Sequence, residues 1–398
     1  MKRVLEDIKV LDWGRFIACP YCGMILADMG AEVIRVERSG GEEDRTIGLL
    51  GPNGQNMSYP NYARNKKAIT LNLMGNKHAS EVLADLVKEA DVIIQNFSPG
   101  ARRIMGLTYE DMKAIKPDII YTAISCYGSE GPYSQRTGFD YIAQIVSGSL
   151  GIGGYPDKPP LRAMMSWVDY GTALCATVGT LLALRHRDAT GEGQMVDLAL
   201  LRTATSFMGP FIAEAEVLER LRPNLGNRAA YVGPTDLFKC KDGYVFIATL
   251  MNTLWKRLAK AIGHEELLDD PDLYNDYARF EHRERIDPKI AEFTAQRTVD
   301  EVLAVMEEAR IPCGRYLGPD EVSRDPHIES QNMVEYTDLE VPGLERVPVC
   351  GIPIRLSKTP GRVERRAPRV GEHNEEIYGD LLGYSKEKIA ELKEQGVI

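Results

Sequence analysis

The sequence predicts an α/β protein, with a large domain built on a parallel sheet with helical crossovers and a smaller α+β domain. Three observations predict it. Short β-branched runs alternate with helical patterns over the first part of the chain, a Gly- and Pro-containing loop resets the pattern near Leu225, and 398 residues exceed what one hydrophobic core usually organises.

The alternation consists of IKVLDW (residues 8–13), EVIRVE (32–37), DVIIQN (91–96) and DIIYTAIS (118–125), all of strand length. Between the second and third, HASEVLADLVKEA (78–90) puts Val82, Leu83, Leu86 and Val87 on one helical face. Parallel sheets bind ligands beyond the carboxyl ends of their strands, so chemistry is expected in the segments that follow these runs. The most apolar stretch, residues 173–184, is closed by Arg185, His186 and Arg187 and falls short of the roughly 20 residues a membrane span needs. It is expected to be a buried core helix. Past the loop at 224–238, GYVFIATL (243–250) reads as a strand and helical patterns run to about Glu308. Strand-like runs such as RVPVCGIPI (346–354), a basic stretch over 358–369 and a last helix after Ser385 complete the chain. The expected divisions are 1–224 for the large domain, 225–325 for the small one, and 326–398 as a segment returning to the first.

Lys and Arg number 48 against 58 Asp and Glu, a net charge of −10, which argues against nucleic acid or an anionic membrane as the main partner. Any anionic ligand must be met by a local basic patch. The seven cysteines, an odd number without the density of a disulfide framework and with no signal peptide before them, point to reduced thiols in the cytoplasm. The six histidines have no metal-ligand spacing, and no GxSxG or P-loop is present, so no metal, serine hydrolysis or nucleotide triphosphate hydrolysis is expected.

Three motifs carry candidate chemistry. Cys19-Pro20-Tyr21-Cys22 follows a predicted strand and opens a predicted helix, as a glutaredoxin-type redox pair does; the alternative is two small residues packing at a helix start. Asp169 is a single acid at the mouth of the long apolar helix (166–184). A carboxylate near a helix N-terminus stays ionised and can attack an acyl group, but Ser166-Trp-Val-Asp169 equally satisfies a capping box. Finally, Arg35, Arg38, Arg64, Lys66, Lys67, Arg102 and Arg103 cluster beyond predicted strands or in loops, which suggests a polyanion site or a solvated surface. Within NFSPGARR (96–103), Pro99 and Gly100 shape a turn, Phe97 can stack on a flat base, and two arginines can meet phosphate.

Taken together, the ordered blocks IKVLDWGRFIACPYCGMILADMGAEVIRVER, NKKAITLNL, ADVIIQNFSPGARRIMGL, SCYGSEGPY, GFDYIAQ, VDYGTAL, TGEGQMVDLAL, KCKDGYVFIA, IPCG and RAPRVGEHNEEI resemble the family III CoA transferases. That group includes formyl-CoA and carnitine CoA transferases and α-methylacyl-CoA racemases. The resemblance covers nearly the whole chain. It implies a Rossmann-like large domain, a smaller domain and an interlocked homodimer. It also implies Asp169 as the nucleophile; in the mechanism expected from this, Asp140 assists locally, although an acid in GFDY could equally be a helix cap. Arg38, Lys66 and Arg103 would hold the phosphates of coenzyme A, with Asn96 and Phe97 shaping the nucleotide pocket. Acyl-CoA and a small carboxylic acid would be substrates, with no permanently bound cofactor.

Racemases of the group carry a proton-exchanging His where this chain has Phe139, so the resemblance implies CoA transfer rather than racemisation. The glycine run of the formyl-CoA transferases is not reproduced between Gly226 and Gly233, which argues against oxalate and formate. Ile17 and Thr137 replace polar residues of those relatives, and a less polar acyl pocket is expected, with Trp13, Met164 and Met165 near Asp169. Backbone amides near Gly138 or in the loop from Gly226 to Gly233 are expected to stabilise the oxyanions.

Overall fold

In the computed structural model, residues 3–74 and 78–398 are described, and the chain divides into two compact units. The first comprises Met1–Ser149, Ala163–Gly209 and Pro326–Ile398; the second comprises Leu150–Arg162 and Pro210–Asp325. The sequence-based divisions differ in placing the first crossing at 224/225 and in missing the excursion over 150–162.

The first unit is built on six parallel strands: β1 (Lys9–Trp13), β2 (Glu32–Glu37), β3 (Lys67–Thr70), β4 (Val92–Gln95), β5 (Ile120–Ser125) and β6 (Met195–Ala199). Their spatial order is β3-β2-β1-β4-β5-β6, which reverses direction between β1 and β4. A crevice opens at such a reversal beyond the carboxyl ends of the two strands. Both sheet faces are buried, and alternate residues divide between two cores. Leu11, Ile34, Ile93 and Tyr121 pack on one side with helix α2 (Ala79–Glu89). Val10, Val33, Ile94 and Ile120 pack on the other with α1 (Ala18–Asp28) and the longer α-helices that follow.

Four more helices frame the crevice: α3 (Pro99–Met105), α4 (Asp140–Val146), α5 (Trp167–Thr190) and α6 (Leu200–Phe207). The 24-residue α5 is long and apolar enough to cross a membrane, yet it packs on α1, β5 and β6 and buries Val168, Ala173, Ala176 and Leu184. It is a core helix, as the sequence predicts.

The C-terminal segment closes the edge of β3. The Ala68 amide donates to His373 Nδ1 at 3.2 Å, the Thr70 amide donates to Asn374 Oδ1 at 2.9 Å, and Tyr378 Oη donates to the Thr70 carbonyl at 2.6 Å. An edge strand whose donors are used in this way no longer templates pairing with another chain.

The second unit has an antiparallel sheet of β7 (Thr235–Lys239), β8 (Tyr244–Ala248) and β9 (Cys313–Arg315). Helices Met251–Ala261, Asp287–Ala295 and Val299–Glu308 cover it around Val245, Ile247, Trp255, Leu258 and Val302.

Candidate active site

Two cavities lie at the reversal point of the first unit. The smaller, of about 280 Å³, is walled by the loop after β1 (Arg15, Phe16, Ile17), the loop after β4 (Asn96, Phe97), the segment after β5 (Cys126, Arg136 to Phe139) and Asp169. The larger, of about 580 Å³, is lined by Trp13, Arg15, Arg38, Leu71, Phe97 and Met105 among others. Arg15, Phe97 and Ala101 line both.

Asp169 is the single acid lining the smaller cavity. Its carboxylate has no hydrogen-bond or ion-pair partner among the described residues, and burial together with the charge of Asp140 raises its pKa to about 7. The sequence argument that a helix N-terminus keeps it ionised therefore needs correction: desolvation outweighs the helix dipole. The capping-box alternative is corrected as well, because Ser166 makes no side-chain cap. The cap comes from Asp140, which is 2% exposed. Its Oδ2 accepts from the Val168 amide at 2.9 Å and the Asp169 amide at 3.1 Å, and its Oδ1 accepts from Gln144 Nε2 at 2.5 Å. Asp140 lines neither cavity. Both of its carboxylate oxygens are thus engaged within the fold.

The cavity wall is tightly specified. A Cβ on Gly138 would fall 2.4 Å from Cys126 Sγ, and one on Gly14 would fall 2.4 Å from the Cys19 Cβ, so both loops depend on glycine's absent side chain. Phe16 has a left-handed backbone (φ 66°) unusual for a bulky residue. Two contacts hold it: its amide donates to Asp44 at 3.1 Å, and its ring meets Phe139 edge-on at 5.5 Å. Phe139 itself is 48% exposed beside Asp169 and offers no exchangeable proton. Ile17 and Thr137 also line this cavity, whereas Trp13 borders the larger one, and Met164 and Met165 are exposed outside both. The loop from Gly226 to Gly233 belongs to the second unit, while Gly138 stands in the wall that contains Asp169.

The expected basic patch is largely internal. Lys66 is 1% exposed, with Nζ 2.7 Å from both Asp12 Oδ2 and the Pro20 carbonyl, so it is not available to a phosphate. Arg35 is buried against Asp44 and Glu37, and Arg64 against Asp28. Lys67 pairs with Glu32 and Glu376. Such pairs exist because an unpaired buried charge costs far more than the pair does. Arg103 is exposed on α3 and lines neither cavity. Of the expected anion-binding residues, Arg38 remains at a cavity, half-exposed, with Nε donating to the Gly41 carbonyl at 2.9 Å and its guanidinium 2.6 Å from Glu43. Phe97 borders both cavities, and Asn96 ties the β4 loop to the β1 loop: its Nδ2 donates to the Arg15 carbonyl at 2.7 Å and its Oδ1 accepts from the Arg15 amide at 2.9 Å.

Arg15 was missed by sequence reasoning. Its guanidinium lies 5.2 Å from the Phe97 ring centroid and 3.3 Å from Glu43, between the two cavities. The signal is present, since Arg15 lies two residues past the end of β1, but it has no basic neighbour in sequence to draw attention.

The redox alternative fails on burial. Cys19 and Cys22 are free and fully buried, and desolvation pushes the Cys22 thiol up to about 12 and Cys19 well above its ordinary value. A redox-active pair needs an accessible thiolate. Among the described residues no three His, Cys, Asp or Glu side chains gather as a metal ion requires.

Comparison with known proteins gives concordant matches. The family described as CoA-transferase family III matches residues 5–374. Succinyl-CoA–D-citramalate CoA-transferase of Chloroflexus aurantiacus is 36% identical over 399 residues, spanning 100% of this chain and 98% of that protein. Succinyl-CoA:mesaconate CoA-transferase of Haloarcula hispanica is 34% identical, spanning 94% of this chain and 95% of that protein. Among solved structures, a CAIB/BAIF family protein from Brucella suis superposes with a TM-score of 0.84 at 29% identity, covering 96% of this chain and 100% of that one.

Proposed function

The chain belongs to CoA-transferase family III and moves coenzyme A from an acyl-CoA donor to a free carboxylic acid; we propose that it does so through covalent intermediates on Asp169. The observation that carries this reading is the unpartnered Asp169 carboxylate, the single acid in the wall of its cavity. A carboxylate held free of hydrogen-bond donors keeps its lone pairs for attack, and a pKa near 7 makes it more nucleophilic than an ordinary carboxylate while leaving a large ionised fraction at neutral pH.

In the proposed route an Asp169 oxygen attacks the thioester carbonyl, the C–S bond breaks, and CoA leaves as a thiolate from a mixed anhydride. The thiolate then attacks the Asp169 carbonyl carbon, expels the donor carboxylate and leaves an aspartyl-CoA thioester. An acceptor carboxylate attacks that carbon, releases CoA thiolate and forms a second anhydride. The thiolate attacks its acyl carbonyl, which yields the new acyl-CoA and restores the Asp169 carboxylate. Each step exchanges one acyl bond for another, so the thioester's energy is conserved. Oxyanions would be met by backbone amides near Gly138. The neighbouring Cys126 thiol, which burial raises to about 11, stays protonated at neutral pH and does not compete for the acyl group.

The larger cavity suits the nucleotide end of CoA, with Phe97 against the base and Arg15 and Arg38 toward the phosphates, and the shared border at Arg15 and Phe97 suits passage of the pantetheine arm to Asp169. Arg15→Met is expected to raise the KM for acyl-CoA about tenfold with a smaller change in kcat, since one phosphate contact is worth about one decade; initial rates against donor concentration check it. The acids named in the two relatives and their succinyl donor are all dicarboxylic, and we extend that class to this chain. A homodimer is proposed as well, supported by the exposed apolar stripe of Leu174, Val178, Leu181 and Leu182 along α5.

The direct test is intact-mass spectrometry after incubation with succinyl-CoA and no acceptor. A CoA adduct is expected, mapping to Asp169 and discharged by hydroxylamine. A protein that turns over CoA with no adduct at Asp169 at any time would remove the covalent route.

A further inference from the structure

The smaller cavity holds two cations, Arg15 and Arg136, and they differ in their commitments. Arg15 is paired with Glu42 and Glu43 and rests against Phe97, on the border with the larger cavity. Arg136 makes no ion pair with any described residue. Its guanidinium stacks 3.9 Å from the ring centroid of Tyr133, which leaves the in-plane N–H fork free.

The loop that carries Arg136 is held at both ends. Ser129 Oγ donates to Asp197 Oδ2 at 3.0 Å, the Gly128 amide donates to Ser125 Oγ at 2.9 Å, and Gly138 is pressed against Cys126. A sphere of about 280 Å³ is about 8 Å across, room enough for a four-carbon diacid whose carboxyl carbons lie about 4 Å apart, with one end at Asp169.

We infer that Arg136 is the specificity-determining residue that binds the second carboxylate of dicarboxylic substrates. This rests on the covalent reading above. In that route the donor acyl group and the acceptor acid occupy the same cavity in turn, so one arginine selects both. A monocarboxylic acyl group would leave the guanidinium unpaired once substrate closes the cavity to water, which is where discrimination arises.

The test compares succinyl-CoA with butyryl-CoA, in which a methyl replaces the distal carboxylate. In a substituted-enzyme scheme the donor's kcat/KM reports the first half-reaction alone, so both donors are assayed with one fixed acceptor. Wild type is expected to prefer succinyl-CoA. Arg136→Met is expected to lower the succinyl-to-butyryl ratio of kcat/KM about 30-fold, and Arg136→Lys about 5-fold, because a point charge remains without the planar fork. An unchanged ratio in Arg136→Met, or a wild type that prefers butyryl-CoA, overturns the inference while leaving Asp169 chemistry intact. Full transfer by Asp169→Asn overturns the covalent reading instead.

Discussion

Asp169→Asn is expected to reduce CoA transfer by about 10⁴-fold or more, a loss typical of removing a covalent nucleophile. The substitution changes one oxygen to an amide nitrogen and keeps the shape of the side chain, so the cavity and the CoA-binding surfaces persist. An amide cannot form the mixed anhydride from which CoA is captured. Initial rates of CoA exchange, together with the KM for donor, separate this from a binding defect: KM is expected to hold within about threefold while kcat collapses.

The same substitution is expected to stabilise the fold, in a manner that identifies its cause. Burial, with Asp140 nearby, raises the Asp169 pKa from 3.8 to about 7, so between those values the folded protein holds a proton that the unfolded chain has lost. Stability therefore falls as pH rises through this window, the reverse of the usual behaviour of a salt-bridged carboxylate. The cost at pH 8 is at most about 4 kcal/mol, reduced by the partial exposure of the group. Melting curves of wild type and Asp169→Asn are expected to lie close together at pH 4.5 and to separate in favour of the variant at pH 8. Parallel pH dependence in the two proteins would mean that the carboxyl titrates normally. For wild type, kcat/KM should rise with pH to a plateau, with a midpoint near 7, as the carboxylate forms.

Much of the frame was legible because the inner strands of a buried parallel sheet must be apolar on both faces. The runs that became β1, β2, β4 and β5 announce themselves by β-branched density. The outer strands β3 (KAIT) and β6 (MVDLA) are not among the runs that read as strands in the sequence, and β6 has a single β-branched residue. The site was legible in position more than in detail. The rule that ligands gather beyond strand ends points to the loops that wall the two cavities, and the family resemblance singles out Asp169. What the sequence conceals is which charges neutralise one another. Arg35, Arg64 and Lys66 are visible as cations, but their partners Asp44, Asp28 and Asp12 lie 9, 36 and 54 residues away and meet them only in the folded chain. Arg136 shows the converse, a solitary cation in sequence whose solitude in space gives it a function.

Asp140 is the clearest case of a residue whose role is set by tertiary structure, and it carries the second large expected effect. Two backbone N–H groups at the start of α5 have no partner within their own helix, and the Asp140 carboxylate accepts both from 28 and 29 residues away. Asp140→Ala leaves these two donors unsatisfied in a buried setting, at roughly 1–3 kcal/mol each before relaxation, and leaves Gln144 Nε2 with the Ala163 carbonyl at 3.4 Å as its acceptor. A net destabilisation of about 4 kcal/mol is expected by denaturant unfolding. Because Asp169 sits in that first turn, kcat/KM should also fall about 10²-fold through misplacement of its carboxyl. Asp140→Asn separates the two roles. It keeps one oxygen for the α5 amides but removes the charge that helps hold the Asp169 pKa high. The midpoint of the pH–rate profile should move to lower pH, with a smaller stability loss than in Asp140→Ala, whose midpoint also falls. If Asn leaves the midpoint in place and Ala unfolds like wild type, Asp140 neither caps α5 nor tunes the nucleophile, and the raised pKa of Asp169 must come from burial alone.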